Sequence, residues 1–311
     1  MAAGAAGVMS SSARLAWLRV LPGQARGILC ETTLGELSAM TVCGVHWLRF
    51  RCLEGRIGFG ILGSDGIREF SGDLYESPRP SGRTLPLDTV TLLAPCVPSK
   101  IVGLWNNFHA LAVKLAKAAP VHPLFFIKPG SCAIGPGQPI ERPAAYAGKI
   151  VYEGELGIVI GRRCKNVAVS EAAGCIFGYT CVNDVTAIEL LNESPDFAQW
   201  CRSKGFDSFG CVGPLIATEF DWAAARVTTR LDGTERQNYP LSDMILSPLE
   251  QVSQISHDMT LLPGDVIACG TSLGVGSIKD GATVEISIEG IGTLSNRLLP
   301  ATANEGPGTA Q

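Results

Sequence analysis

The sequence predicts an α+β fold that is mostly β, with peripheral helices around one large domain and a small β-rich domain before it. Three observations lead there. Short apolar runs with strand character recur from about residue 45 to residue 289. Helical patterns are few: one after Trp105, one after Asp184 and one around "PLEQVSQISHDM". Strands and helices do not alternate as they would in a doubly wound sheet. The length of 311 residues, 46% of them apolar and 17% charged, supplies a real core for a large and a small domain together.

Residues 1–44 stand apart. They are rich in Ala, Ser and Arg, with no acid before Glu31. That composition fits an organellar transit peptide, and equally an over-extended start with translation beginning near Met40. Either way the segment is expected to be a disordered or mis-started leader. Residues 45–96 read as the small β-rich domain. "HWLRFRCL" alternates, "RIGFGILGSDGIREF" is two runs around a Gly-Ser-Asp-Gly turn, and the Pro/Gly/Ser-rich "ESPRPSGRTLP" (76–86) reads as a linker. The large domain, 97–300, opens with a strand over Ile101 to Leu104 and a helix over Phe108 to Ala118, stopped by Pro120. Strands follow over 149–161, 174–182, 210–217, 226–231, 265–269 and 283–289. Residues 301–311 read as a disordered tail.

Composition narrows the function classes. A formal net charge of −4 gives no reason to expect nucleic acid or an anionic membrane surface as partner. A small anionic substrate would need local cations. No apolar run reaches the length of a membrane-spanning helix. The 11 cysteines include no CxxC pair, which argues against a four-cysteine zinc site and for buried thiols in a reducing cytoplasm. The expected location is cytoplasmic, or an organellar matrix if residues 1–40 are a transit peptide.

The stretch "YEGELGIVIGRR" (152–163) carries the sharpest signal. Glu153 and Glu155, two apart in a strand, project to the same face and repel unless a cation or proton lies between them. Such pairs are ordinarily solvated. Here the apolar run "LGIVIG" behind them argues for burial, and buried carboxylates need compensation. A hard divalent cation prefers oxygen ligands of this kind. Asp184, in "GYTCVNDVTAIELL", ends an apolar strand, where it would be either a helix N-cap or a third metal ligand. Lys204, in "QWCRSKGFDSFG", is either a surface lysine or a stabiliser of developing negative charge. Gln237, in "RQNYPLSDMIL", is a neutral donor or part of a solvated loop. The Gly-rich "CGTSLGVGS" follows a strand but opens no helix, so it is neither a Rossmann nor a Walker motif; with Thr271 its amides would line an anion pocket. His109 begins the first helix, and His46, His122 and His257 have no motif around them, so imidazole catalysis falls to His109 by elimination.

Six segments in this order resemble the fumarylacetoacetate hydrolase family: "YEGELGIVIG", "GYTCVNDVT", "RSKGFDSFG", "RQNYPLSDMI", "MTLLPGDVIACGTSLGVG" and "VEISIEGIGTLSNRL". The resemblance covers roughly residues 100–298 and, more loosely, the small N-terminal domain. It implies a mixed β-roll, a homodimer, and a Mg²⁺ or Mn²⁺ site made by Glu153, Glu155 and Asp184. It implies that Lys204 faces the substrate, that Gln237 comes from a loop over the site and that Thr271 binds a substrate carboxylate. Lys128, in "FIKP", matches a recurring Lys-Pro behind the ligands, and His109 matches the histidine of a lid helix. Two positions depart from the family pattern. Ala112 stands where hydrolytic and decarboxylating relatives often carry a Glu that orients the histidine to activate water, and Ile188 stands where many carry Arg.

The implied chemistry is an enolate of a small dioxo acid, stabilised by the chelated metal. C–C bond hydrolysis of an acylpyruvate or a fumarylacetoacetate-like compound of aromatic catabolism is the first reading. Isomerisation or decarboxylation of a 2-hydroxymuconate-type diacid or oxaloacetate is the second, made serious by Ala112. A metal-binding homologue without catalysis is the third.

Overall fold

The computed structural model describes residues 44–300, so the expected leader, but for Gly44, and the expected tail lie outside the described residues. Strands dominate and helices are short and peripheral, as the sequence predicts. Three sheets, of 12, 3 and 5 strands, build the described part of the chain. The central strand of the largest is Gly154–Ile160, buried at every position. It pairs antiparallel with Ile176–Asp184 on one side and with Val266–Ala268 on the other. Val266–Ala268 pairs parallel with Lys100–Trp105, which makes the sheet mixed. The five-stranded sheet includes Arg226–Leu231, Thr234–Pro240 and Thr283–Ile288. One apolar core unites the two sheets: Leu156 and Ile158 from the first, Val227 and Ile286 from the second, all buried.

The N-terminal strands continue the main sheet. His46–Cys52 pairs with Gly210–Ala217, with His46 opposite Ala217 and Trp47 opposite Ile216. The expected linker over 76–86 is largely a strand, Arg79–Leu85, at the sheet's edge. Pro80 is tolerated there because an edge strand can spare an N–H. Ser81 and Arg83 hold the strand down through the buried carboxylate of Glu69.

Elsewhere the structure redraws local boundaries for physical reasons. The first helix runs His109–Lys114 rather than to Ala118. Ala116 takes a left-handed φ of 50°. The Asn106 amide donates to Ala118 O at 3.0 Å and turns the chain back. A helix over Trp200–Lys204 was not expected; no capping side chain marks its start. The segment around Gln237 is not a solvated loop but the strand Thr234–Pro240, in which Gln237 and Tyr239 point inward and their neighbours outward. Asp184 is the last residue of its strand, and the next helix starts only at Ile188, so Asp184 caps no helix. No helix among the described residues is long and apolar enough to cross a membrane.

Candidate metal centre

Glu153 lies in the one-residue gap between the strands Ile150–Tyr152 and Gly154–Ile160, and Glu155 is the second residue of the latter. Asp184 ends the neighbouring strand, where Gly154 pairs with Asn183. That register brings the three carboxylates together: one oxygen from each lies within 4.8 Å of the others. Glu155 and Asp184 are buried, and Glu153 keeps a small opening. Three carboxylates this close repel strongly in a low-dielectric setting.

Two lysines answer part of that charge. Lys128 is fully buried and donates to Asp184 Oδ1 at 2.5 Å and to Val185 O at 3.1 Å. Lys204 donates to Asp184 Oδ2 at 2.6 Å, to Thr186 Oγ1 at 2.7 Å and to Glu153 Oε1 at 3.0 Å. Its three ammonium protons are thereby committed. The face of Phe126 lies beneath the ammonium, 4.7 Å to the ring centre. Gly103 makes room for that ring, since a Cβ there would fall 2.3 Å from Phe126 Cζ.

The ionisation of the group follows from this arrangement. Burial pushes the Asp184 carboxyl up, but Lys128 and Lys204 outweigh it and hold Asp184 below the usual carboxylate range. Burial lowers the Lys204 ammonium, yet Asp184 and Glu153 more than reverse that, so Lys204 stays protonated. Glu153 is raised by burial, against the pull of Lys204. Glu155 is raised furthest, by burial first and then by Asp184 and Glu153, because no ammonium touches it.

Glu155 also provides the test of whether a metal fits. Its Oε2 accepts the Gly270 N–H at 2.8 Å. Its Oε1 is buried and accepts no hydrogen bond among the described residues. A buried carboxylate oxygen without a donor is costly. Three carboxylates with one such oxygen, all hard donors, fit a divalent cation of the magnesium or manganese type. One unit of negative charge remains when the three carboxylates are set against the two ammonium groups.

The other expected site residues occupy different places. Gln237 and Thr271 stand behind the Gly154 peptide. Gly154 N–H donates to Gln237 Oε1 at 3.0 Å, Gln237 Nε2 donates to Thr271 Oγ1 at 2.9 Å, and Thr271 Oγ1 donates to Gly154 O at 3.1 Å. Gln237 is buried on its strand and does not come from a loop over the site. His109 is exposed at the start of its helix, and no hydrogen bond among the described residues joins it to the carboxylates. Its neighbourhood is nonetheless tied to them. Asn107 donates to Cys269 O at 2.8 Å, directly before the Gly270 that binds Glu155.

Thr186, Asn183 and Phe126 escaped the sequence reading. Thr186 supports both Lys204 and Glu153, and Asn183 Oδ1 accepts the Glu153 N–H at 3.1 Å. The available signal was strand alternation from Asp184, which sets Thr186 two residues further on the same face.

With this geometry in place, comparisons with known proteins bear on it. The family model described as fumarylacetoacetate (FAA) hydrolase C-terminal matches residues 100–299, and one described as Rv2993c-like, N-terminal, matches residues 45–95. The protein Rv2993c of Mycobacterium tuberculosis is 44% identical over 235 residues, 75% of this chain and 87% of its own length. The crystal structure of 2-hydroxyhepta-2,4-diene-1,7-dioate isomerase from Mycobacterium marinum is 39% identical with a TM-score of 0.75, covering 83% of this chain and 100% of its own. Maleylpyruvate hydrolase from Sphingobium sp. SYK-6, solved with manganese(II) and pyruvate, is 27% identical with a TM-score of 0.66, covering 83% of this chain and 100% of its own. A mixed-sheet core carrying an acidic triad, matched by the family model over most of the chain, leads to one conclusion: this protein belongs to the fumarylacetoacetate hydrolase family.

Proposed function

We propose that this chain is a divalent-metal-dependent enzyme that moves a proton next to the 2-oxo group of a small oxo acid, interconverting keto and enol forms or isomerising an enol diacid. The observation that carries the reading is the triad of Glu153, Glu155 and Asp184 set against the buried Lys204. A divalent cation held by the three carboxylates supplies Lewis-acid polarisation of the 2-oxo group. Lys204 stays charged and contributes a hydrogen bond and a positive field, not a base. Two of its three protons point at Glu153 and Asp184, which would hold the cation, so the ammonium would stand beside a substrate oxygen bound there. Proton transfer at carbon falls to His109, which starts the helix beside the site.

The sequence puts C–C hydrolysis first; two observations move proton transfer ahead of it. Position 112, three residues after His109, is a buried alanine, so the helix offers His109 no carboxylate to orient it for water activation. The relative at 39% identity is an isomerase. Hydrolysis remains the second reading, supported by His109 itself and by the likeness to maleylpyruvate hydrolase. A homologue without catalysis fits poorly with two ammonium groups kept buried at the triad, since such burial is costly. The protein would act as a homodimer on a free small-molecule acid.

Product analysis tests the reading. Oxaloacetate, a 2-hydroxymuconate-type diacid, acylpyruvates and fumarylacetoacetate are each incubated with Mg²⁺ and with EDTA, using wild type and His109→Ala. Mg²⁺-dependent isomerisation without cleavage, slowed at least tenfold in His109→Ala, is the expected result. Release of two acids from a dioxo acid would replace it with the hydrolytic reading. Turnover unaffected by EDTA would overturn both.

A further inference from the structure

Gly154 lies between the two glutamates of the triad, and side chains of the neighbouring sheet hold both its N–H, in the peptide group shared with Glu153, and its C=O, in the peptide group shared with Glu155. Its N–H goes to Gln237 Oε1, which also accepts from Thr229 Oγ1 at 2.9 Å. Its carbonyl accepts twice, from the Thr271 hydroxyl and, at 2.5 Å, from the phenol of Tyr239. Gly154 has no room for a side chain, because a Cβ there would fall 2.1 Å from Thr229 Oγ1. With the peptide groups on both sides of the Gly154 Cα held, the backbone cannot tilt there, and its orientation sets where Glu153 and Glu155 point.

Tyr239 also reaches the element that carries His109. Its ring meets Phe108 edge to face, centres 5.0 Å apart at 79°. Phe108 is fully buried, directly precedes His109 and bridges to Met244. Tyr239 is therefore in contact both with the backbone that presents the carboxylates and with the residue that starts the histidine's helix.

We propose that Tyr239 is a positioning residue: its hydroxyl fixes the peptide group between Gly154 and Glu155 so that Glu153 and Glu155 present their carboxylates together, while its ring seats Phe108 at the foot of the His109 helix. The proposal rests on the metal reading above for its consequence, but not for the contact itself. Removing the hydroxyl leaves Thr271 alone on the Gly154 carbonyl, so the peptide can rock while the fold persists.

The test compares wild type, Tyr239→Phe and Val227→Ala in the full chain. Val227 is the buried residue paired with Tyr239 on the adjacent strand, and it controls for a general loss of packing. Mn²⁺ binding is measured by calorimetry, and amide exchange at Gly154 and Gly270 is measured on metal-free protein. Tyr239→Phe is expected to bind Mn²⁺ roughly tenfold more weakly and to exchange faster at both amides. Val227→Ala should lower the melting temperature and change neither. Wild-type affinity and exchange in Tyr239→Phe, or an equal effect from Val227→Ala, would overturn the proposal. Failure of wild type to bind Mn²⁺ would remove the metal reading instead, and exchange at Gly154 would still decide whether the hydroxyl fixes the peptide.

Discussion

Asp184→Asn is expected to abolish turnover and to lower the melting temperature by roughly 10 °C, the largest combined effect of any single change at the site. Asp184 is fully buried and is the shared counter-charge of Lys128 and Lys204. The substitution removes the one carboxylate that pairs with Lys128 and leaves it the Val185 carbonyl and at most a neutral amide oxygen. Breaking a buried ion pair from one side typically destabilises by about 3–5 kcal/mol, because the surviving charge is left in a medium that solvates it poorly. Glu155→Gln provides the contrast. Glu155 touches no ammonium; burial and repulsion from the other two acids outweigh the Gly270 N–H and the field of Lys204, so an uncharged side chain there should leave the melting temperature unchanged or higher while removing metal-dependent turnover. Calorimetric melting of both variants beside a steady-state assay separates the two roles. An Asp184→Asn protein that melts with wild type would mean the lysines find other counter-charges.

Lys204→Ala is expected to cut kcat by roughly two to four powers of ten, the usual consequence of losing a preorganised charge at a reacting centre. Mn²⁺ affinity should be retained or improved, because the ammonium competes for the oxygens of Glu153 and Asp184 that would face the ion. Lys204→Arg should not restore activity. The guanidinium is larger and planar and does not reproduce one ammonium donating to Glu153, Asp184 and Thr186 together. Single-turnover kinetics and Mn²⁺ calorimetry on the two variants provide the check. A parallel loss of Mn²⁺ affinity would show that Lys204 organises the carboxylates instead of serving the substrate.

The readable parts of the sequence were those where one physical rule acts alone. "LGIVIG" reads as a strand because every side chain is apolar, and the two glutamates beside it read as a pair because strand geometry puts them on one face. The segment "TERQNYP" was unreadable as a strand because its inward residues, Gln237 and Tyr239, are polar and serve the Gly154 peptide rather than an apolar core. Periodicity of hydrophobicity cannot report a strand that is buried through hydrogen bonds. Lys128 and Lys204 present the same difficulty. Lysine is normally a surface residue, and only the cross-strand placement of Asp184 makes both of them interior. The Trp200–Lys204 helix was missed because aromatic stacking of Trp200 on Phe126, at 5.5 Å, anchors it in place of a cap.

The central claim is that Glu153, Glu155 and Asp184 hold a divalent cation, and a calorimetric Mn²⁺ titration tests it most directly. Burial and the two neighbouring acids raise the Glu155 pKa, so protons compete with a cation for its carboxylate. Affinity should be full above that pKa and should fall as pH falls through it. In buffers of different ionisation enthalpy, wild type should bind one ion per chain with release of protons, and Glu155→Gln should lose both the binding and the release. No binding by wild type, or equal binding by Glu155→Gln with no proton released by either, would contradict the claim.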